Sequence, residues 1–283
     1  MGLTDFEIDL SEVDQIIKKA LQEDIGSGDI TTTSIIPDSS LAKAKFISKD
    51  TGILAGLDVA KRVFELLHEN LIWQPAKKDG DRIQNGDVLV EFKASNRAIL
   101  SGERTALNFA QRMSGIATKT SRYVEAVKDY KTEIFDTRKT VPGLRMLDKY
   151  SVKTGGGTNH RIGLFDMVML KENHIRIAGG ISKAVDQVRS SIEAGIKIEV
   201  ETTNLSEVKE ALNKNVDIIM LDNMTNSQMS EAVKLINGRV KIEASGEMNL
   251  QRVKEVAALG VDYISVGALT HSVEAFDISQ QVV

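Results

Sequence analysis

The 283 residues hold 36 Lys and Arg against 40 Asp and Glu, a formal charge of −4, with 42% hydrophobic residues and no cysteine. Disulfides, thiolate metal sites and a cysteine nucleophile are excluded, and without a basic stripe interleaved with aromatics a nucleic-acid surface is disfavoured. No apolar run reaches the ~18 residues of a membrane span, and the acidic N-terminus lacks a basic leader, so a cytoplasmic location is expected. Met1-Gly2 could invite N-myristoylation, but Phe6 stands where Ser or Thr is required.

Apolar residues at Val13, Ile16, Ile17, Ala20 and Leu21 recur at helical spacing and predict a helix over 10–21, with Ser11 as N-cap. Residues 23–33, E-D-I-G-S-G-D-I-T-T-T, lack periodicity and read as a loop. Alternation over 42–48 predicts a half-buried strand, and 57–67 a helix closed by His68. Between 71 and 94, Asp79-Gly80-Asp81 and Asn85-Gly86-Asp87 divide strand-like runs, and Asn-Gly predicts a hairpin in a small antiparallel sheet. A long helical pattern covers 97–128, with Gly115 expected to split it into two helices.

From Lys131 short apolar strands alternate with helices, the strands falling at 133–136, 167–170, 196–201, 217–221, 240–243 and 263–266. The helices between them include 182–193, 205–212, 227–236 and 250–259, with Gly195, Gly238 and Gly260 as expected C-caps. Such alternation predicts a parallel α/β sheet with right-handed crossovers. Six strands rather than eight point to an incomplete barrel, with an open doubly wound sheet as the alternative.

In either architecture ligands bind at the carboxyl ends of the strands. Those ends read Asp136-Thr137-Arg138-Lys139, Lys171-Glu172-Asn173-His174, Glu201-Thr202, Asp222-Asn223, Ser245-Gly246-Glu247 and Gly267-Ala268. The first two bracket the stretch from Thr137 to Lys171, where Arg138, Lys139, Arg145, Lys149, Lys153, His160, Arg161 and Lys171 outnumber Asp148 and Asp166. A cationic concentration in an anionic chain predicts a small, strongly anionic ligand. Arg side chains suit bidentate contacts to carboxylate or phosphate, and Gly155-Gly156-Gly157 would let backbone approach the ligand. Ser245-Gly246 and Gly267-Ala268, each leading into a helix, predict a phosphate grip, with His271 beside it and Glu247 an electrostatic objection. Glu201 and Asp222 end consecutive strands and could hold a divalent cation or sugar hydroxyls. His174 reads as structural.

These motifs resemble the quinolinate phosphoribosyltransferase family, also called nicotinate-nucleotide pyrophosphorylase (carboxylating). The matching runs are Ser101-Gly102-Glu103-Arg104-Thr105-Ala106-Leu107-Asn108, Asp136-Thr137-Arg138-Lys139-Thr140, Gly155-Gly156-Gly157-Thr158-Asn159-His160-Arg161 and Leu170-Lys171-Glu172-Asn173-His174. They continue with Glu199-Val200-Glu201, Leu221-Asp222-Asn223, Glu243-Ala244-Ser245-Gly246 and Ser265-Val266-Gly267-Ala268-Leu269-Thr270-His271, and so cover essentially the whole chain. The resemblance implies an N-terminal α/β sandwich domain over 1–113 and an incomplete α/β barrel domain over 114–283, whose tail 276–283 could return to the first. It implies a homodimer with shared sites, in which quinolinate and phosphoribosyl pyrophosphate react with Mg²⁺ to give nicotinate mononucleotide, pyrophosphate and CO₂ for NAD biosynthesis.

By position, the resemblance assigns Arg104 (from the partner), Thr137, Arg138, His160, Arg161 and Lys171 to quinolinate. Lys139 would face pyrophosphate, and Glu201 and Asp222 the ribose hydroxyls and metal. Ser245, Gly246, Glu247, Val266, Gly267, Ala268 and His271 would take the 5′-phosphate, and Lys139, Lys171, Glu201 and Asp222 are the expected catalytic set. Glu247 stands where the family more often has a second glycine. Alternatives are a related transferase acting on another ring acid, a barrel lyase using Lys171 as a Schiff-base nucleophile, and an anion-binding protein without turnover.

Overall fold

The computed structural model describes residues 9–283, so the Met1-Gly2 and Phe6 reading lies outside it. In chain order come α1 (Leu10–Ile25), α2 (Ile30–Ile35), β1 (Leu41–Ser48), β2 (Gly52–Ile53) and α3 (Leu57–Leu67). Next are β3 (Ile72–Pro75), β4 (Arg82–Ile83), β5 (Val88–Ser95), the long α4 (Asn96–Ala126) and β6 (Glu133–Phe135). Then follow α5 (Arg145–Thr154), β7 (Val168–Leu170), α6 (Glu172–Ala178), α7 (Ile181–Arg189), β8 (Ile198–Thr202) and α8 (Leu205–Asn213). The chain ends with β9 (Ile218–Asp222), α9 (Asn226–Ile236), β10 (Lys241–Ser245), α10 (Leu250–Ala257), β11 (Tyr263–Ser265), α11 (Ala268–His271) and β12 (Ile278–Val282). Packing groups them into two units, one of the described residues up to Ser121 with Thr140–Gly156 and Ser272–Val283, the other of Arg122–Lys139 and Gly157–His271.

The first unit carries an antiparallel sheet of order β12-β1-β5-β3, in which the tail strand β12 pairs with β1. Phe46, Phe64, Trp73 and Phe92 meet edge-on or tilted in its core, with ring centroids 4.7–6.2 Å apart. Several local expectations change here. The N-cap of α1 is Asp9, which accepts the Ser11 amide, so Ser11 is itself inside the helix. The expected loop at 30–33 is the short α2, because Asp29 caps it by accepting the Thr32 amide at 2.9 Å and the Ser101 hydroxyl at 2.8 Å. Asn85-Gly86 closes no two-strand hairpin: β4 pairs with β2, β5 pairs with β1 and β3, and the Gly86 amide goes to Ser48.

Gly115 does not break α4, which runs unbroken past it. A Cβ there would stand 2.1 Å from the Glu274 carbonyl, so this glycine admits a passing backbone and is not a helix end. Gly155 likewise serves packing, since its Cβ would meet the Ala117 carbonyl at 2.4 Å.

The second unit is a six-stranded parallel sheet of order β6-β11-β10-β9-β8-β7. Its first strand in sequence pairs with its last, as barrel closure requires, and consecutive strands follow around to β7. A doubly wound sheet would reverse direction at an inner strand; this one stays in sequence and opens only between β6 and β7, which makes it an incomplete barrel. All six strands lie within a residue or two of their predicted positions. The helices after β8, β9 and β10 have side-chain caps from Asn204, Thr225 and Asn249. Gly195, Gly238 and Gly260 all take positive φ, but each lies beyond the helix cap, which is Ser190, Asn237 and Ala258 respectively.

Candidate active site

Parallel strands end together, so their carboxyl-end residues share one rim of the second unit. A cavity of about 950 Å³ opens there, at the large end of the range for small-molecule sites and roomy enough for two ligands side by side. Its walls include Thr137, Arg138, Lys139, His160, Arg161 and Lys171 on the cationic side. Also lining it are Glu201, Asp222, Ser245, Gly246, Glu247, Gly267, Ala268 and His271.

The cationic stretch therefore divides. Arg145, Lys149 and Lys153 lie on α5, in the first unit, and do not line the cavity. Arg145 donates to Thr140 at 3.1 Å, and Lys149 is fully buried. Arg104 stands exposed on α4, also in the first unit.

Arg161 owes its place to a local network. Asp136, completely buried at the end of β6, accepts the His160 amide at 2.9 Å and the Asn159 side chain at 2.7 Å. The Arg161 amide donates to His160 Nδ1 at 2.7 Å, and its guanidinium donates to the Met167 carbonyl at 3.1 Å. Burial lowers the Arg161 pKa, as does the neighbouring Arg138. Two guanidiniums held this close call for an anion between or beside them. Lys171 reaches the end of the adjacent strand β8, where its Nζ lies 2.8 Å from Glu201 with the lysine half exposed and the glutamate mostly covered. His174 accepts the Lys171 amide at 3.1 Å and so caps α6.

The ends of β10 and β11 run into turns. Gly246 has φ +101°, and a Cβ on it would stand 2.3 Å from the Asn223 side-chain oxygen, so no other residue fits. Glu247 follows in the left-handed region at φ +49°, exposed at the cavity edge. At Gly267 a Cβ would press at 3.1 Å on both Lys139 and His271, so this glycine lets those two side chains close in. Two expectations are corrected. The Val266 amide cannot meet a phosphate, because it is buried and donates to the Phe135 carbonyl at 2.9 Å. The first-turn amides of α10 are also committed, with Asn249 accepting those of Gln251 and Arg252. What faces the cavity at these strand ends is the Ser245–Glu247 turn with Gly267 and Ala268, not a free helix end.

Several groups in the wall were given no role from the sequence: Tyr123, Met169, Met220, Met248, and the buried Glu243 and Ser265, although the last two stand in quoted motifs. Glu243 is mid-strand in β10, and Glu199, also fully buried, is mid-strand in β8. Each lies within 3.1 Å of His160 Nε2. Burial, and then the Glu243 charge, push the Glu199 carboxyl up to about 7. The available signal was a glutamate two positions before each strand-end residue, on the same face.

Glu201 and Asp222 offer the hard oxygen donors a Mg²⁺ prefers, on adjacent strand ends and partly open to the cavity. The residues present fit such an ion.

Comparison with known proteins gives one picture along the chain. The model of the quinolinate phosphoribosyl transferase N-terminal domain matches residues 29–114, and that of the C-terminal domain matches 116–281. A probable nicotinate-nucleotide pyrophosphorylase (carboxylating) of Synechocystis is 43% identical over 274 residues, 96% of this chain and 92% of that one. Quinolinate phosphoribosyltransferase (decarboxylating) 1b of Nicotiana tabacum is 43% identical over 286 residues, 94% of this chain and 81% of that one. The crystal structure of NadC from Streptococcus pyogenes superposes with a TM-score of 0.94 at 43% identity, covering 98% of each chain.

Proposed function

The chain belongs to the quinolinate phosphoribosyltransferase family, and from that premise we propose that it joins quinolinate to phosphoribosyl pyrophosphate, yielding nicotinate mononucleotide, pyrophosphate and CO₂ for de novo NAD synthesis. The observation that carries this reading is one cavity lined both by a cluster of cationic side chains and by carboxylates and glycine turns. That pairing matches an aromatic dianion on one side and a sugar phosphate on the other.

In this reading Arg138, Arg161 and Lys171 hold the ring carboxylates, with Thr137 and His160 completing that side. The 5′-phosphate rests on the Ser245–Glu247 turn and on Gly267 and Ala268, with His271 beside it. Glu201 and Asp222 accept the ribose hydroxyls and would hold Mg²⁺, which when bound offsets charge on the pyrophosphate. Lys139 faces the leaving group. The ring nitrogen forms its bond to C1′ as the bond from C1′ to pyrophosphate oxygen breaks, and the electron pair leaves with pyrophosphate. Because C1′ is electron-poor at that moment, placement and electrostatics supply the catalysis and no protein nucleophile is needed. The bond from C2 to its carboxylate then breaks; CO₂ departs and the pair left on C2, steadied by the cationic ring nitrogen, takes a proton from solvent.

Arg104, exposed on α4, is assigned to a second copy's ring-acid site in a homodimer. A cytoplasmic location suits these substrates, and among the described residues no helix is long and apolar enough to cross a membrane. The Schiff-base alternative is weaker, since Lys171 is half exposed and paired with a carboxylate, whereas such lysines work in apolar or cationic surroundings. Purified protein supplied with quinolinate, phosphoribosyl pyrophosphate and Mg²⁺ should release nicotinate mononucleotide and CO₂ in equal amounts. A protein that binds both substrates yet forms neither product would refute the reading.

A further inference from the structure

Glu199, Glu243 and His160 form a buried cluster at the cavity wall, and the proposed reaction gives its two carboxylates no task. Glu199 lies two residues before Glu201 on β8, and Glu243 two before Ser245 on β10. Period-two alternation puts each on the same face as its rim neighbour, one layer deeper. His160 Nε2 lies 3.0 Å from Glu199 Oε2 and 3.1 Å from Glu243 Oε2, and the other Glu243 oxygen accepts the Ser265 hydroxyl.

The three groups are close enough to suggest a metal site, but the imidazole argues otherwise. A metal-bound histidine offers a lone pair from one nitrogen and donates a proton from the other. Here Nδ1 accepts the Arg161 amide at 2.7 Å, so the ring proton sits on Nε2, the atom that faces both carboxylates. Nε2 thus stands between two carboxylate oxygens at ion-pair distance.

Two buried carboxylates side by side are costly, and an apolar pair of equal volume would fill the same space without that cost. An apolar pair could not aim an imidazole N–H. The imidazole in turn receives the amide of Arg161, the residue whose guanidinium meets the ring acid.

The geometry points to Glu199 and Glu243 as positioning residues for the ring-acid end of the site: they clamp the His160 imidazole from below and thereby set the approach of Arg161. This rests on the reading of the preceding subsection, and the test separates the two. Quinolinate affinity is measured by calorimetry, and KM for each substrate by turnover, in wild type, Glu199→Gln, Glu243→Gln, Ser265→Ala, His160→Ala and the His160→Ala/Glu243→Gln double variant. Small misplacements of a binding group are expensive, so Glu243→Gln and Glu199→Gln should each weaken quinolinate about tenfold. KM for phosphoribosyl pyrophosphate should stay within about twofold, the scatter of an untouched subsite. Ser265→Ala, which removes only a hydroxyl, should weaken quinolinate about two- to fivefold and covers the case in which a glutamate variant fails to fold. In the His160→Ala background, Glu243→Gln should add almost nothing, because the clamp has lost what it holds. The proposal is overturned if quinolinate affinity is unchanged, if both substrates weaken together, or if Glu243→Gln keeps its full effect without His160. Quinolinate binding without turnover in wild type would instead sink the proposed reaction while leaving the clamp readable by calorimetry.

Discussion

Glu247 bears two separable loads, and substitution can measure each. Its φ of +49° puts a side chain in the left-handed region, which costs an L-residue about 1–2 kcal/mol. Replacing it with glycine removes that strain but loosens the unfolded chain by about 0.4–1 kcal/mol, for a net gain near ~1 kcal/mol. In a unit of this size such a gain raises Tm by about 2–4 °C. The second load is charge, since the carboxylate stands at the edge of the turn assigned to the 5′-phosphate. Removing an exposed like charge is worth about two- to fivefold in affinity. Glu247→Gly should therefore raise Tm and lower KM for phosphoribosyl pyrophosphate together. Glu247→Gln keeps the strained backbone and loses only the charge, so it should lower KM by the same factor and leave Tm within about 1 °C of wild type. Scanning calorimetry and initial rates at low salt read the two effects, and added salt should shrink the KM difference. The reasoning fails if Gln stabilises as much as Gly, or if neither variant changes KM.

Three further outcomes are expected. Asp79 is buried and accepts the Gly56 amide at 2.7 Å, the Leu57 amide at 3.0 Å and the Tyr150 hydroxyl at 2.8 Å, yet burial pushes its pKa up to about 6. A folded pKa above the unfolded value of about 3.9 means its stabilising share is full below pH ~4 and is lost as pH rises through ~6, on the order of 3 kcal/mol. The Tm advantage of wild type over Asp79→Asn should shrink between pH 4.5 and 7.5; an advantage that grows would show the carboxylate to be the favoured form. Arg112 grips the fully buried Asp148 through two hydrogen bonds of 2.9 and 2.8 Å, so Asp148→Ala should cost about 3 kcal/mol, read as a Tm fall of roughly 6–12 °C. Arg104→Ala and Lys139→Ala should each abolish turnover while remaining folded, and mixing the two with subunit exchange should restore part of it. No recovery once exchange is verified by mass spectrometry would argue against a site completed in trans.

The strand-helix grammar after Lys131 was readable because each strand is short, apolar and bounded by turn residues, and the parallel sheet follows from that alternation. Less readable was anything decided by a distant backbone. Gly115 looks like a break and Gly155 like part of a ligand loop, but at each another segment passes where a Cβ would be. The helix α5 escaped for a different reason. Its basic residues drew it into the cationic stretch, whereas Leu147, Tyr150 and Val152 are buried and turn the segment towards the core of the first unit. Charge counting along a chain cannot distinguish a lysine facing a ligand from Lys149, which is fully buried.

At the cavity, the rule that function gathers past strand ends pointed to Glu201 and Asp222, which line it, and not to Glu199 and Glu243. The cause is the same period of two that made the rule useful. A strand that ends in a chemical group has its next inward-facing residue two positions earlier, and in β8 and β10 that residue is a glutamate. The outer layer meets solvent and can be inferred from polarity alone. The inner layer makes sense only once His160 is in place, and His160 arrives from a loop 39 residues before Glu199 in one direction and 83 before Glu243 in the same direction. Nothing local to either strand announces that partner. A buried acid inside a strand should therefore be read as a question about which distant donor it serves, and here that donor leads through the imidazole to Arg161.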